Sequence, residues 1–573
     1  MIPARPAALA TCASALLLLG GCARSDAASN TTQGIAEAPA SRVVVGRAVN
    51  AQGLPIAGVH VDLAEDGTPS GISCETRDDG WFVLELAELP ERSLSLQLHR
   101  RHYAARELVL DTAQLTALVR GQPVSVGALE VTRAKTAAFW ITLAVFLIMM
   151  GLIGTTAMHN ALASLAGASV LLACTAFGHL LSEDLIVFGF GDATRAIDWN
   201  VVFLIMGMMI VIAVVEGTGV FRWLAFFAYK SSGGKLWRLM LILMVITAVS
   251  SAVLDNVTTM LLMTPITIRI ALAMDVDPLT LLMPSVMAAN IGGLSTMVGT
   301  PTNILIASYS GISFGDFLLN LTPGVLLALA GLAGYCMWRF RREIKASGAQ
   351  ASPGLLMRLE EGATIAQPGH LKKAGWVGLG MLVMFIAGES LHLPPAVIAL
   401  VGATALLIWI KPDVEEMIEA VDWTTLVFFI TLFMVIGALQ EVGLIDQLAV
   451  WISYLVGDSW ILAMLVITWL AAIISTVIPN IPFTATMLPV VGYLTATIPE
   501  AGPQSLYFCL AVGAAMGGNG SLIGASANLI TAGISERAGY PITFVHFFKV
   551  GFPALLISVT LALGWLLLRY VVF

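Results

Sequence analysis

Ser251-Ala-Val-Leu-Asp255-Asn256-Val-Thr258-Thr259 and Gly292-Gly-Leu-Ser-Thr-Met-Val-Gly299-Thr300-Pro-Thr-Asn303 are polar, helix-breaking stretches set inside apolar sequence. Both recur. The first returns as Ser475-Thr-Val-Ile-Pro479-Asn480-Ile-Pro482-Phe-Thr484, and the second as Gly517-Gly-Asn519-Gly-Ser-Leu-Ile-Gly524-Ala525-Ser526-Ala-Asn528. Ser251, Asn256 and Pro265 meet Ser475, Asn480 and Pro489 at an offset of 224 residues, and Gly299 and Asn303 meet Gly524 and Asn528 at 225. Asp198-Trp199 recurs as Asp422-Trp423, and Phe314, Phe317 and Pro323 meet Phe544, Phe547 and Pro553. The matches fall on Asn, Gly and Pro rather than on abundant Leu, so the chain is read as two related halves, about 198–340 and about 422–573.

Composition gives the solvent. Hydrophobic residues make up 58% of the 573 positions and charged residues only 12%, about half the soluble average. Stretches long enough to span a bilayer lie at 137–156, 160–182, 199–219, 317–338, 375–390, 394–410, 424–443 and 549–571. Three further apolar regions, 237–272, 279–310 and 458–535, are interrupted by Asn, Asp, Pro, Gly and Thr. Lys and Arg gather at 222–238 and at 339–374, which the charge rule places in the cytoplasm. Both loops can lie inside only if 237–272 enters and returns on one side. Asp198 then lies outside and Asp422 inside, so the halves are inverted. The expected fold is an all-α polytopic membrane protein of about 10–11 spans, 137–573, with two inverted repeats, each carrying a re-entrant hairpin and a broken helix.

Unpaired backbone costs several kcal/mol per group in lipid, so such breaks must line a protein-enclosed cavity. Unwound helix ends offer carbonyl oxygens to a hard cation such as Na⁺ and amide N–H groups to an anion, and Asn side chains offer both. Asp255 is a carboxylate at a hairpin tip, able to hold Na⁺ or carry a proton. Glu216, His179, Glu389, His392 and Glu441 sit near span ends and read as interfacial. The six cysteines (12, 22, 74, 174, 336, 509) show no CxxC or metal-ligand spacing. No phosphate-binding GxxxxGK[ST] stretch, basic nucleic-acid tract or enzyme-like nucleophile–base set occurs. No cofactor is expected beyond Na⁺ or H⁺ as coupling ion.

Residues 1–22 have the layout of a secretory signal, and Leu19-Gly20-Gly21-Cys22 resembles a lipobox in which Cys22 would be lipidated. Residues 42–132 read as short strands, at 43–45, 59–63, 81–86 and 94–98, separated by turns such as Asp79-Gly80. The run Gly53-Leu-Pro55-Ile-Ala-Gly58-Val-His-Val61, followed by Thr76-Arg-Asp-Asp-Gly80-Trp-Phe82, resembles the carboxypeptidase regulatory-like β-sandwich, an accessory module with no chemistry of its own. His99 and His102 are expected on opposite faces of a solvated strand, without a carboxylate nearby. The small sandwich is expected outside the cytoplasm.

Over about 160–573 the paired motifs resemble the ion transporter superfamily, in the group sharing the citrate-transporter-like domain. Asp255-Asn256-Val-Thr-Thr with Gly299-Thr-Pro-Thr-Asn303 is most similar to the branch of the melanosomal P protein, arsenite permeases and one class of Na⁺/H⁺ antiporters. In the related sodium/dicarboxylate carriers the Asn and Thr of both tips contact the substrate carboxylate, and neighbouring carbonyls bind Na⁺. The resemblance puts those roles on Asn256, Thr258, Gly299, Thr300 and Asn303, and on Asn480, Thr484, Asn519, Ala525 and Asn528. A Na⁺ cradle falls on Asn256, Gly299, Asn480 and Ala525, and the same motifs add Asp255, Thr259, Gly524 and Ser526. Asp255 and Pro479 depart from the carboxylate carriers, which have Ser there. Three functions follow as expectations: an ion-coupled carrier of a small anion or organic acid, a Na⁺/H⁺ antiporter, or a membrane receptor sensing through its sandwich. A homodimer in a bacterial inner membrane, with the sandwich in the periplasm, completes what the resemblance and the signal imply.

Overall fold

The computed structural model describes residues 42–50, 53–65, 68–86, 94–155, 157–346, 365, 367–498, 502 and 504–572. The expected signal peptide and Cys22 lie outside the described residues, as does much of the 339–374 loop. Two compact units emerge, Met1–Thr132 and Arg133–Phe573.

The first unit is a sandwich of two sheets. β1 (Arg42–Val49) lies between β4 (Trp81–Leu86) and β7 (Val124–Glu130). The second sheet runs in the order β3 (Thr68–Glu75), β2 (His60–Glu65), β5 (Leu94–His99), β6 (Arg106–Val109). Strand alternation makes the core: β4 buries every second residue, and Phe82 and Leu84 meet Val44, Val61, Leu63, Leu96 and Leu98 between the sheets. A short helix, α1 (Thr112–Val119), is capped reciprocally by Asp111 and Gln114. One expectation is corrected. His99 does have a carboxylate, with Nδ1 3.1 Å from Asp62 Oδ2, because antiparallel pairing of β2 with β5 brings the two together. His102 is buried, at a positive φ of 64°.

The second unit is helical and polytopic. Helices α2 (Ala137–Gly154) and α3 (Asn160–Leu181) lead through the short α4 (Phe190–Arg195) into the first repeat. That repeat comprises α5 (Trp199–Gly217), α6 (Val220–Ser232), the hairpin arms α7 (Leu236–Val253) and α8 (Asn256–Ala273), the broken pair α9 (Leu279–Gly292) and α10 (Pro301–Ser310), and α11 (Phe314–Arg339). After α12 (Arg341–Ala346), α13 (Pro368–Leu391), α14 (Pro395–Ile410) and α15 (Val414–Glu419), the same series returns. It reads α16 (Trp423–Glu441), α17 (Leu444–Val456), hairpin arms α18 (Trp460–Ile474) and α19 (Asn480–Thr497), broken pair α20 (Ser505–Gly517) and α21 (Ser526–Arg537), and α22 (Phe544–Leu567). Nine described helices are long and apolar enough to cross a membrane. Setting aside the hairpin arms α7 and α8, and adding the two broken pairs and the shorter α14, leaves ten crossings.

The repeat is written into local geometry. Asp198 and Asp422 each cap the following helix by accepting from two backbone N–H groups. Gly219 and Gly443 each turn the chain at a φ near +80°, 78° and 81°, a conformation that only glycine adopts freely. Inversion is visible where the halves meet. Gly437, near the C-terminal end of α16, packs on Ala196, beside the N-terminal end of α5, as opposed directions of the two equivalent helices require. Between α11 and α22, Tyr335 donates to the Val550 carbonyl at 3.0 Å and Trp565 Nε1 to the Asn320 carbonyl at 2.7 Å. These bonds exchange under the 230-residue offset, as a two-fold axis requires. Leu147, Ile148, Val245, Val249, Leu319 and Leu326 stay exposed on the outer surface, where lipid suits them and water would not.

Candidate ion and substrate site

The core of the helical unit is built on its two broken helices. Every residue from Thr280 to Gly292 in α9 is buried, as is every residue of α20. Each helix gives way to a single 3₁₀ turn, Gly293–Ser295 or Gly518–Gly520, and then to extended backbone at Thr296 or Ser521. Glycine is needed for close approach. A Cβ on Gly292 would meet Ala248 backbone at 2.3 Å, and one on Gly517 would meet the Ala472 carbonyl at 2.7 Å. The breaks therefore press directly on the hairpin arms α7 and α18.

Matching hydrogen bonds hold both breaks. Thr296 donates to the Ala252 carbonyl and Ser521 to the Thr476 carbonyl. The same hydroxyls accept from Gly299 N at 3.1 Å and Gly524 N at 3.2 Å. Asn303 Nδ2 donates to the Gly293, Leu294 and Thr296 carbonyls at 3.2, 3.3 and 2.8 Å. Asn528 Nδ2 donates to the Gly518 and Ser521 carbonyls at 2.7 and 2.9 Å. Both asparagines thus tie the loop with their nitrogen and turn their oxygen away from it. Around each break stand Ser251 and Ser475, whose carbonyls lie 2.7 Å from a Cβ on Gly299 or Gly524 and whose hydroxyls are buried without a protein partner. Buried hydroxyls are normally bonded. Two such oxygens in equivalent positions, with carbonyls beside them, form a pair of oxygen-lined cradles that suit a hard cation.

The hairpin tips differ. Asp255 caps α8: Oδ1 accepts from Thr258 N at 2.8 Å and Oδ2 from the Thr258 hydroxyl at 2.6 Å. Asp255 and Thr258 are therefore occupied with each other. Pro479 stands at the same place before α19 and gives no side-chain cap. Thr259 and Thr484 are buried with hydroxyls lacking a protein partner, whereas Thr300 caps α10 by accepting from Asn303 N at 3.3 Å.

Asn290, in α9 just before the glycine pair, joins the halves. It donates through Nδ2 to Asn519 Oδ1 at 2.9 Å and to Asn528 Oδ1 at 3.0 Å. Its Oδ1 accepts from Asn256 Nδ2 at 2.9 Å. Four asparagines from one hairpin tip, one break helix and the opposite break become a continuous buried chain. The sequence reading missed Asn290. Its repeat counterpart is Ala515, so self-comparison hides it; a lone Asn in an otherwise apolar buried helix was the available signal. Asn480 sits buried at the second tip, outside this chain of bonds. Among the described residues no group of three His, Cys, Asp or Glu side chains could hold a metal. Glu216 and His179 are exposed at helix ends. A cavity of about 370 Å³ lies to one side, lined by Asn200, Met297, Ile304, Phe314, Phe385 and His392 among others. It reaches the first break through Met297 and Ile304 but touches none of the four bonded asparagines.

The citrate transporter family matches residues 144–513. A 46 kDa membrane protein of Mycobacterium leprae is 36% identical over 75% of this chain and 99% of its own length. An uncharacterized transporter of Mycobacterium tuberculosis shows the same identity and coverage. The human P protein is 32% identical over 72% of this chain and 58% of its own length. Among solved structures, MtrF of Neisseria gonorrhoeae, described among antimetabolite efflux pumps, covers 75% of this chain and 98% of its own at 10% identity, with a TM-score of 0.51. That likeness speaks to the fold alone.

Proposed function

The chain belongs to the citrate transporter family, and we propose that it is a secondary active carrier in which a Na⁺ or H⁺ gradient drives a small anion, an organic acid in the first instance. The observation that carries this reading is the pair of matched breaks, each combining carbonyls with an unpartnered serine hydroxyl, joined in the first half by the buried Asn303 Oδ1, which has no protein partner. Burying these groups without a ligand costs roughly 1–3 kcal/mol each. A bound cation recovers that cost, and a nearby anion balances its charge. Inverted halves around such a site suit alternating access, with the hairpin and break elements moving together against α2, α3, α5, α13, α14 and α16. In this reading the protein works as a homodimer in a bacterial inner membrane, with the β-sandwich on the periplasmic side.

One observation favours a second reading, a Na⁺/H⁺ antiporter: Asp255 puts a carboxylate at the first tip, within the motif that supplies Asn256. Proteoliposomes loaded with a pH-sensitive dye separate the two. A Na⁺ or Li⁺ pulse without organic anion should leave the interior pH unchanged, while labelled citrate should enter faster with an inward Na⁺ or H⁺ gradient. A cation-evoked pH change that disappears in Asp255→Asn would replace the anion carrier with the antiporter.

A further inference from the structure

The two halves share a backbone, but their polar groups are not matched. In the first half both half-helix N-termini at the site are capped internally. Asp255 covers α8, and Thr300 covers α10. In the second half neither is: Pro479 precedes α19 and Ala525 precedes α21, without a side-chain cap. The free oxygens are unequal as well. Asn303 Oδ1 is fully buried and has no protein partner. Its counterpart Asn528 Oδ1 is taken by Asn290.

The amide orientations follow from fixed backbone groups. Asn528 Nδ2 must face the carbonyls of its loop, and Asn519 Nδ2 faces the Met287 carbonyl at 3.3 Å. Both therefore turn Oδ1 toward Asn290, which has to answer with Nδ2. Asn290 Oδ1 then faces Asn256, which gives its own Nδ2 and keeps its Oδ1 for a ligand. One residue with no counterpart in the other half thus removes an acceptor from the second half and aims an acceptor in the first.

We propose that the halves are chemically specialised: the first half alone holds the coupling cation, while the second half, stripped of its matching acceptor by Asn290 and ending in two uncapped helix N-termini, receives the carboxylate of the substrate. Pro482 gives α19 no N–H where Thr258 has one, and Asn528 N already donates to the Ala525 carbonyl at 3.0 Å. The donors these two ends offer are therefore the first-turn N–H groups of Asn480, Ile481, Ser526 and Ala527, which with the helix dipole attract anions. The buried hydroxyls of Ser475 and Thr484, both without a protein partner, give that half two further hydrogen-bond donors. Asn290 acts here as a positioning residue. The assignment rests on the ion-coupled carrier reading.

Thermal unfolding of the purified full-length protein tests it, with Na⁺ exchanged for choline and citrate then added in Na⁺. Ser251→Ala and Ser475→Ala each remove a hydroxyl that bonds nothing in the protein, so neither breaks an existing hydrogen bond. Ser251→Ala should raise the Na⁺ concentration at half-maximal stabilisation by about tenfold, and Ser475→Ala by less than about twofold, the tenfold change being about 1.4 kcal/mol. Ala525→Thr, which gives α21 the cap that α10 has, should keep the Na⁺ response and lose the citrate response; an unchanged ligand-free unfolding temperature shows that it folds. Equal losses in the two serine variants overturn the specialisation, as does an Ala525→Thr protein that still answers citrate. A wild type that answers Na⁺ but not citrate overturns the carboxylate assignment. A wild type that ignores both Na⁺ and Li⁺ overturns the cation site assigned to the first half, and leaves the proton-driven form of the carrier reading standing.

Discussion

At the scale of single residues, the asparagines do two kinds of work, and their variants should separate them. Asn303 and Asn528 fasten loop carbonyls, so alanine there loosens the fold as well as the site. Asn256 fastens nothing but Asn290. Asn256→Ala should therefore abolish flux in proteoliposomes while costing only about 1–3 kcal/mol for the amide left unpaired, with a monodisperse elution profile retained. Cys74, in the sandwich, gives a pH prediction. Burial pushes its thiol up to about 11, with a hydrogen bond from Val83 opposing and the Asp62 charge adding. A thiol raised in the folded state stays protonated while the unfolded one ionises near about 8.5, so this contribution to stability falls as pH rises from about 9 to 11. Alkylation of Cys74 at pH 8.5 should lag well behind free cysteine and approach it only near pH 11. The positions of the tips and breaks were legible where the repeat doubled them, as at Ser251, Asn256, Gly299 and Asn303. Asn290 escaped because its importance comes from being unmatched. Thr258 was read as a substrate contact from its motif, but Asp255 three residues earlier accepts from both its N–H and its hydroxyl, a local competition that spacing alone does not display.

At the scale of elements, the breaks and hairpins were legible because a polar, glycine-rich run inside apolar sequence has few solutions in lipid. The strands were less so. β3 was not read from Thr68-Pro-Ser-Gly-Ile-Ser-Cys-Glu75, which has little apolar alternation; it forms because β2 supplies its partner. Packing of break against hairpin is the tightest feature of these elements, and it yields a stability prediction. Gly292→Ala drives a Cβ into Ala248 backbone, which cannot swing aside as a side chain could. The cost should be on the order of 3 kcal/mol, seen as a large drop in unfolding temperature and poor expression. Gly378→Ala, on α13 where a Cβ has nothing within 4 Å, should leave both unchanged. At the α11–α22 crossing, Tyr335→Phe and Trp565→Phe each remove one of two symmetry-related bonds. Tyr335→Phe should cost about 0.5–1.5 kcal/mol, and Trp565→Phe more, because it also removes part of the ring that packs on Gly324.

At the scale of the whole molecule, the decisive property is which contacts can break during a transport cycle. In the alternating-access reading α3 and α16 belong to the stationary part, and α11 moves with its break past α13. Two cross-links discriminate. Ser164 and Thr431 face each other across α3 and α16 with hydroxyls 2.7 Å apart. Joined as Ser164→Cys with Thr431→Cys, they should form a disulfide that leaves transport near wild type, since neither helix moves against the other. Phe314, at the start of α11, stacks on Phe385 of α13 with ring centroids 5.5 Å apart, at the wall of the 370 Å³ cavity. Phe314→Cys with Phe385→Cys, bridged by mercuric ion or a short bifunctional thiol reagent, should stop flux, and cleaving the bridge should restore it. The single variants should transport before and after the reagent. This contrast follows from inversion: two oppositely running halves can present one site to either face by sliding one set of helices past another, as long as the contacts between the sets are apolar and separable. The Phe314–Phe385 stack is such a contact, with no hydrogen bond to lose on parting. Full transport with that bridge in place would mean that α11 and α13 travel together, and the boundary between moving and stationary helices would then have to be drawn elsewhere.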